Sequence, residues 1–314
     1  MQTHRYAALP RKGSPLRLGR KIWKHRAFYL LLLPAVAYVI LFCYTPMYGL
    51  QIAFKDYKGA LGIAGSRWVG LKHFRSFFNS YNFLQLLRNT LALSLYSLAA
   101  AFPLPILLAL LLNETKSRFK RFSQTVLYAP HFISMVVMVG MLNTLFSPSM
   151  GVINTLREAL GMERYYYMAQ PSAFRHLYVW SGVWQNIGWD AVIYLAALSA
   201  VDPSLHEAAM IDGASRIQRI THINLPTILP TIVILFIMAV GRVASVGYEK
   251  VYLLQNDLNV DVSEVISTYV YKRGVLNSNY SFSTAVGLFN NVVNIALLLM
   301  ANFISRRLGE TSLF

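Results

Sequence analysis

The sequence has 314 residues, of which 55% are hydrophobic and only 13% charged, and it carries a net charge of +16. Soluble domains carry roughly 25% charged residues, so this composition excludes an ordinary soluble domain and points to a membrane protein. A nucleic-acid binder could show the same charge balance, but its basic residues would cluster on a polar folded domain; here they fill an N-terminal tail and flank long apolar runs, so a basic membrane protein is the better reading.

The tail, residues 1–27, holds Arg5, Arg11, Lys12, Arg17, Arg20, Lys21, Lys24 and Arg26 with no acidic residue among them. Positive charge in short segments marks the cytoplasmic side, so the tail is expected there. A membrane-crossing helix needs about 20 apolar residues, and the first such run is 28–50. It is longer than a signal-peptide core and lacks a small-x-small cleavage site, so it is expected to remain in the protein. Its Cys43 is the one cysteine, which leaves no intrachain disulfide and no thiolate metal site. The bulky Phe42 before it argues against a lipoprotein signal. Residues 51–89 then carry six Lys/Arg on the outer side, against the charge rule. Within them, 68–87 interleaves Phe74, Phe77, Phe78, Tyr81 and Phe83 with polar residues, a pattern expected to lie along the outer membrane surface.

Further apolar runs at 90–113, 125–146, 177–201, 228–247 and 284–305 bring the number to six. The expected fold is therefore all-α, a polytopic membrane protein with six transmembrane helices. The 114–124 loop adds Lys116, Arg118, Lys120 and Arg121 to the cytoplasmic side. An even number of spans returns the 307–314 tail to that side as well. The outer segments 147–176 and 248–283 are long enough to hold short helices that a soluble partner could contact. No internal repeat or low-complexity tract is present.

The fourth run is the least apolar, because it holds Gln185, Asn186 and Asp190. Asn186 and Asp190 stand four apart and share a helix face, with Trp180 and Trp184 on a neighbouring one. After it, 202–230 reads as a helix, a bend and a second helix. Asp202 suits a helix cap and Pro203 the first helical position. Gly213 offers a helix end or sharp bend, and a second short helix runs from about Ser215 to Ile220, until Pro226 and Pro230 lead into the fifth span. The small Ala208-Ala209 pair lets another surface approach closely, while Glu207, Asp212, Arg216 and Arg219 supply charge for a polar socket. Arg242 lies near the outer end of the fifth run, and Asn290 and Asn294 share a face of the sixth, with Asn291 beside them. Ionisable groups in spans are costly and usually face protein or water. Trp184, Asn186, Asp190, Arg242, Asn290 and Asn294 are therefore candidates to line a substrate path, since amides, a carboxylate and indoles suit a sugar. Polar residues that join helices to one another would look the same. Arg242 could meet an acidic sugar or pair with Asp190.

Glu207-Ala208-Ala209, three residues, Gly213, nine residues, Ile223, one residue and Leu225-Pro226 fit the EAA signature of binding-protein-dependent ABC importer permeases at every position. Asp212-Gly213-Ala214 and Pro230 fit its extended form. Segments 47–56 and 265–271 resemble the carbohydrate-uptake, type I branch, near permeases for polysaccharide fragments such as the alginate importer subunit. The resemblance covers about 90–305, and more loosely the whole chain. It implies the type I permease fold, with a first helix and outer-surface segment at 28–89, a permease domain at 90–306 and a cytoplasmic coupling loop at 202–227. In that family the loop seats in a cleft of the ATPase, a role that carries over to Glu207, Ala208, Ala209, Asp212 and Gly213, beside Arg216.

The resemblance further implies a multi-pass subunit of the bacterial cytoplasmic (inner) membrane with both termini in the cytoplasm. Its partners would be a second permease subunit, an ATPase homodimer or pair, an extracytoplasmic solute-binding protein, a carbohydrate and the lipid bilayer, with no nucleic acid. The substrate would be an oligosaccharide or polysaccharide, with an acidic, alginate- or pectin-like sugar mildly favoured. The residues agree that this chain supplies no ATP site, because no Gly-Lys dipeptide exists to build a P-loop. No cofactor is expected on this chain; ATP and Mg would be used by the partner ATPase. His206-Glu207 opens like a zinc-protease helix, but Met210 occupies the place of the second histidine. Two other readings stay open: an ion-coupled secondary transporter and a membrane-embedded enzyme.

Overall fold

Residues 23–307 are described by the computed structural model, in two units, Met1–Gln51 and Ile52–Phe314. Most of the basic tail, 1–22, and the last residues, 308–314, lie outside the described part. In the first unit, α1 (Arg26–Val39) runs on through a π-helical turn, Ile40–Tyr44, and a short helix, Thr45–Met47. No side chain of α1 is buried. The π turn precedes Pro46, which cannot donate to a carbonyl one turn back and clashes with it. One inserted residue relieves that conflict, and the Thr45 hydroxyl donates to the Ile40 carbonyl at 2.9 Å.

The second unit opens with a two-stranded ladder. β1 (Lys55–Asp56) pairs antiparallel with β2 (Arg67–Trp68), and α2 (Lys72–Phe78) follows. Here an expectation is corrected. The aromatic segment 68–87 does not lie wholly along an outer surface. Phe77, four residues after the buried His73, is 1% exposed and packs with Leu86, Ile266, Tyr269, Phe282 and Val286, whereas Tyr81 is 98% exposed. Some of the misplaced positive charge is also balanced. Lys72 and His73 both reach Asp56, and the Lys72 ammonium, bonded at 2.8 Å, holds that carboxyl below its ordinary range.

Next, α3 (Phe83–Ala101) and α4 (Pro103–Asn113) together form an apolar helix of 31 residues, Phe83–Asn113. The third expected span is broken. Amphipathic α5 (Ser117–Tyr128) and a turn at Ala129–Phe132 meet α6 (Met135–Leu145) at 98°. Pro130 ends the first piece, and Ser134 caps the second by accepting from the Val137 amide. Eleven residues rise only about 16 Å, roughly half the hydrocarbon thickness. After α7 (Val152–Ala159) comes α8 (Pro171–Ser199), 29 residues long. By length and apolarity together, four described helices qualify to cross a membrane, or five if the bent pair counts as one span. Six were expected. α8 is long enough but diluted by its polar residues.

α8 is the packing centre of the second unit. Its Ala191, Tyr194, Leu195 and Leu198 pack with Ala109, Leu110 and Leu112 of α4, and its Val179 and Val183 share a second cluster with Leu93 and Met138. Gly188 permits a close approach, since a Cβ there would collide with the Leu127 carbonyl. The loop helix α9 (Pro203–Ile211) leads to Arg216–Arg219, a π turn at Ile220–Asn224 and α10 (Leu225–Val240), the last three forming one helix of 25 residues. The π turn stands before Pro226 as the earlier one stands before Pro46, so Pro226 does not separate the second loop helix from the span. α10 ends at Val240, short of the expected 247. α11 (Tyr248–Leu254), α12 (Ile266–Tyr271) and α13 (Tyr280–Arg307) complete the chain.

Candidate functional site

The 202–227 loop is built from its caps inward. The Asp202 carboxylate accepts from the Ser204 amide at 2.9 Å and starts α9. At the other end the Ala214 amide donates to the Ala209 carbonyl and the Gly213 amide to the Met210 carbonyl, the bond pair of a Schellman motif. That motif requires a left-handed residue, and Gly213 has φ +77°. Ser215 and Gln218 then form a reciprocal capping box. Two short, well-ended helices meet at a fixed bend. Their outward face is uncovered: Glu207, Ala208, Asp212, Gly213 and Arg216 are exposed, as are Leu205, Met210, Ile211 and Ile217. Among the described residues no ion pair engages Glu207, Asp212 or Arg216. Arg219 points the other way, 3.7 Å from Glu114, with both side chains largely buried.

Along α8, between its Tyr178 and Tyr194, lies a cavity of about 590 Å³ shared with α3 and α10, lined by Ser94, Ser97, Tyr178, Trp189, Asp190, Tyr194 and Arg242 among others. A second cavity of about 340 Å³ shares Ser97, Ala101, Tyr178, Asp190 and Gly247 with it and adds Gln185, Asn186, Glu249 and Lys250. Tyr178, Gly182, Asn186, Asp190 and Tyr194 recur every fourth residue of α8, so successive turns of this helix bring Tyr178, Asn186, Asp190 and Tyr194 to the cavity linings. Asp190 and Arg242 face the same cavity without an ion pair between them. His131 lies face to face with Trp189, ring centres 4.6 Å apart, and its Nδ1 is 2.9 Å from the Asn186 amide oxygen.

Residues 101–310 match the family described as the binding-protein-dependent transport system inner membrane component. The chain belongs to this family. Over 309 residues it is 44% identical to the polygalacturonan/rhamnogalacturonan transport system permease protein YteP of Bacillus subtilis, covering 98% of this chain and 96% of that one. It is likewise 44% identical over 287 residues to protein LplB of Bacillus subtilis, covering 91% and 90%. A solved structure of a bacterial alginate ABC transporter, in complex with an alginate pentasaccharide-bound periplasmic protein, contains a chain that is 41% identical. The match has a TM-score of 0.86 and covers 95% of this chain and 100% of that one. The all-α, type I permease fold follows.

The permease distributes the sequence candidates unevenly. Asp190 and Arg242 line the larger cavity, and Asn186 and Asp190 the smaller one. Trp184 lines neither. It lies with Trp180 in an apolar groove of about 500 Å³ beside Met138, Met141 and Phe146, and the Trp180 indole donates to the Tyr96 hydroxyl at 2.8 Å. Asn294 joins helices: its amide oxygen accepts from the Ala244 amide and its nitrogen donates to the Ser245 hydroxyl, which fixes the 241–247 turn against α13. Asn290 lines neither cavity. The sequence reading missed Tyr178, Trp189, Tyr194, Lys250 and Glu114. The stride of four through Asn186 and Asp190 could have found the two tyrosines. Lys250 and Glu114 acquire their surroundings only through contacts distant in sequence.

Proposed function

We propose that this permease is one transmembrane subunit of an ATP-driven importer for oligosaccharides bearing carboxylates, and that its 202–227 loop couples ATP hydrolysis to opening of the membrane path. In this reading the loop and the 114–124 segment face the cytoplasm, as do both termini. A partner ATPase pair hydrolyses Mg-ATP, while a second permease and an extracytoplasmic solute-binding protein complete the assembly. The permease itself is not catalytic. The names of the relatives, which concern polygalacturonan, rhamnogalacturonan and alginate, support the substrate class.

One observation carries the coupling role. The loop is rigidly ended on both helices, yet it presents exposed Leu205, Met210, Ile211 and Ile217 next to charges that nothing in the described chain pairs. A capped connector needs no such face; a socket for another subunit does. Glu207 is the middle residue of α9, exposed and outside the first turn, and its charge is free to meet a cation on the ATPase. Removing one partner of a hydrogen-bonded interfacial pair costs about 2–5 kcal/mol. Glu207→Lys should therefore leave the permease inserted and abolish stimulation of ATP hydrolysis by sugar-loaded binding protein in the reconstituted complex. Wild-type stimulation and sugar uptake in that variant would overturn the coupling role.

A further inference from the structure

Lys250 is the one buried lysine or arginine among the described residues, at 6% exposure. Its Nζ donates to the Tyr178 carbonyl at 2.6 Å and sits 4.7 Å above the Tyr178 ring. Space for it is provided by Gly182, where a Cβ would stand 3.0 Å from Nζ. An ammonium has three protons to donate, and these contacts occupy one acceptor. Among the described residues no carboxylate oxygen lies within ion-pair distance of it. Buried ammonium groups are costly unless a counter-charge or further acceptors satisfy them.

The surroundings say what kind of group is missing. Lys250 lines the smaller cavity, which shares Tyr178 and Asp190 with the lining of the larger one, where Arg242 is also without an ion pair. The same linings carry two acids, Asp190 and Glu249, but neither forms an ion pair with Lys250 or Arg242. A neutral sugar could donate hydroxyl protons to the acids but would leave both cations without an anion. A sugar acid offers hydroxyls and a carboxylate together. We propose that Lys250 is a specificity-determining residue of this permease that receives the carboxylate of a uronic-acid unit within the cavity lined by α8 and α11.

This assignment rests on the importer reading, and two measurements keep them apart. ATP-dependent uptake of galacturonic acid trisaccharide by the full complex with binding protein tests the importer. Equilibrium binding of that trisaccharide and of its fully methyl-esterified form to the detergent-purified permease–ATPase complex, without binding protein, tests the site. Wild type should prefer the free acid. Lys250→Gln keeps a donor for the Tyr178 carbonyl but removes the charge, and should lower the acid-to-ester affinity ratio by about tenfold, as expected for one charge-assisted contact. Lys250→Arg should keep the preference. Gly182→Ala, which crowds Nζ and leaves the charge, should also lower the ratio, and it serves as an independent arm if Lys250→Gln fails to co-purify with its partners. A wild-type ratio near one, or a ratio unchanged in Lys250→Gln or Gly182→Ala, overturns the site and leaves the importer standing. Absence of ATP-dependent uptake by wild type overturns both.

Discussion

At the scale of single residues, Lys250 shows a group held at a cost to folding. Burial alone pushes its pKa down to about 8 from the ordinary 10.5. The folded pKa is thus the lower one, so between pH 8 and 10.5 the unfolded chain holds more protons than the folded one. Stability therefore rises with pH across that window, and the full penalty is present below about pH 8. A shift of this size corresponds to about 3 kcal/mol. The titratable groups on the same cavity lining are Tyr178, Asp190 and Glu249, and Tyr248 of α11 stacks on Tyr271 of α12. Lys250→Met should raise the thermal midpoint of the purified complex at pH 7, and the gain should shrink as the pH approaches 10. A variant that is less stable than wild type at pH 7 by the same assay would show that the Tyr178 contacts outweigh the burial cost.

At the scale of elements, the loop bend separates conformational from steric cost. A Cβ at Gly213 would meet nothing within 4 Å, yet the backbone there has φ +77°. Substitution therefore costs through backbone strain, about 1–3 kcal/mol for most residues and least for asparagine, which tolerates the left-handed region. Gly213→Asn should keep stimulation of ATP hydrolysis by sugar-loaded binding protein, while Gly213→Val should lose it through a redirected second helix. Equal behaviour of the two variants would remove the bend from the coupling argument. Such local features were legible in the sequence. The Asp202 cap and the glycine bend each depend on a few neighbouring residues, and both are present. The signature of binding-protein-dependent permeases lay in the same contiguous stretch, 207–226. Features that depend on distant partners were not legible. Phe77 reads as a surface aromatic until α12 and α13 pack on it, and Asn294 reads as a path residue until the 241–247 turn docks on it. The continuous helix through Pro226 escaped because a π turn absorbs the proline, and propensity alone does not announce a π turn. The break between α5 and α6 was hidden by apolar residues on both sides of Pro130.

At the scale of the whole permease domain, motion at the loop must reach the cavity. Glu114 and Arg219 supply a connection. Glu114 directly follows α4, and the Phe83–Asn113 helix lines the larger cavity with Ser94, Ser97, Leu98, Ala101, Phe102 and Pro105. Arg219 belongs to the helix that leaves the loop toward α10. Their ion pair, at 3.7 Å with side chains 15% and 19% exposed, ties the element that meets the ATPase in our proposal to the wall of the cavity. The pair is screened less than a surface bridge, but its length keeps it short of an ideal hydrogen-bonded one, so a coupling energy of about 1 kcal/mol is expected. Stranding either charge costs more than the pair itself contributes. Glu114→Arg and Arg219→Glu should each lower uptake per ATP hydrolysed, because the loop would then move without carrying the cavity wall. The double exchange restores opposite charges at the same two positions and should recover most of the lost uptake. Purely additive losses in the double variant, with all three proteins assembled to the wild-type level, would show that the two residues do not act through each other, and the link from loop to cavity would have to run through the packing of α4 on α8 instead.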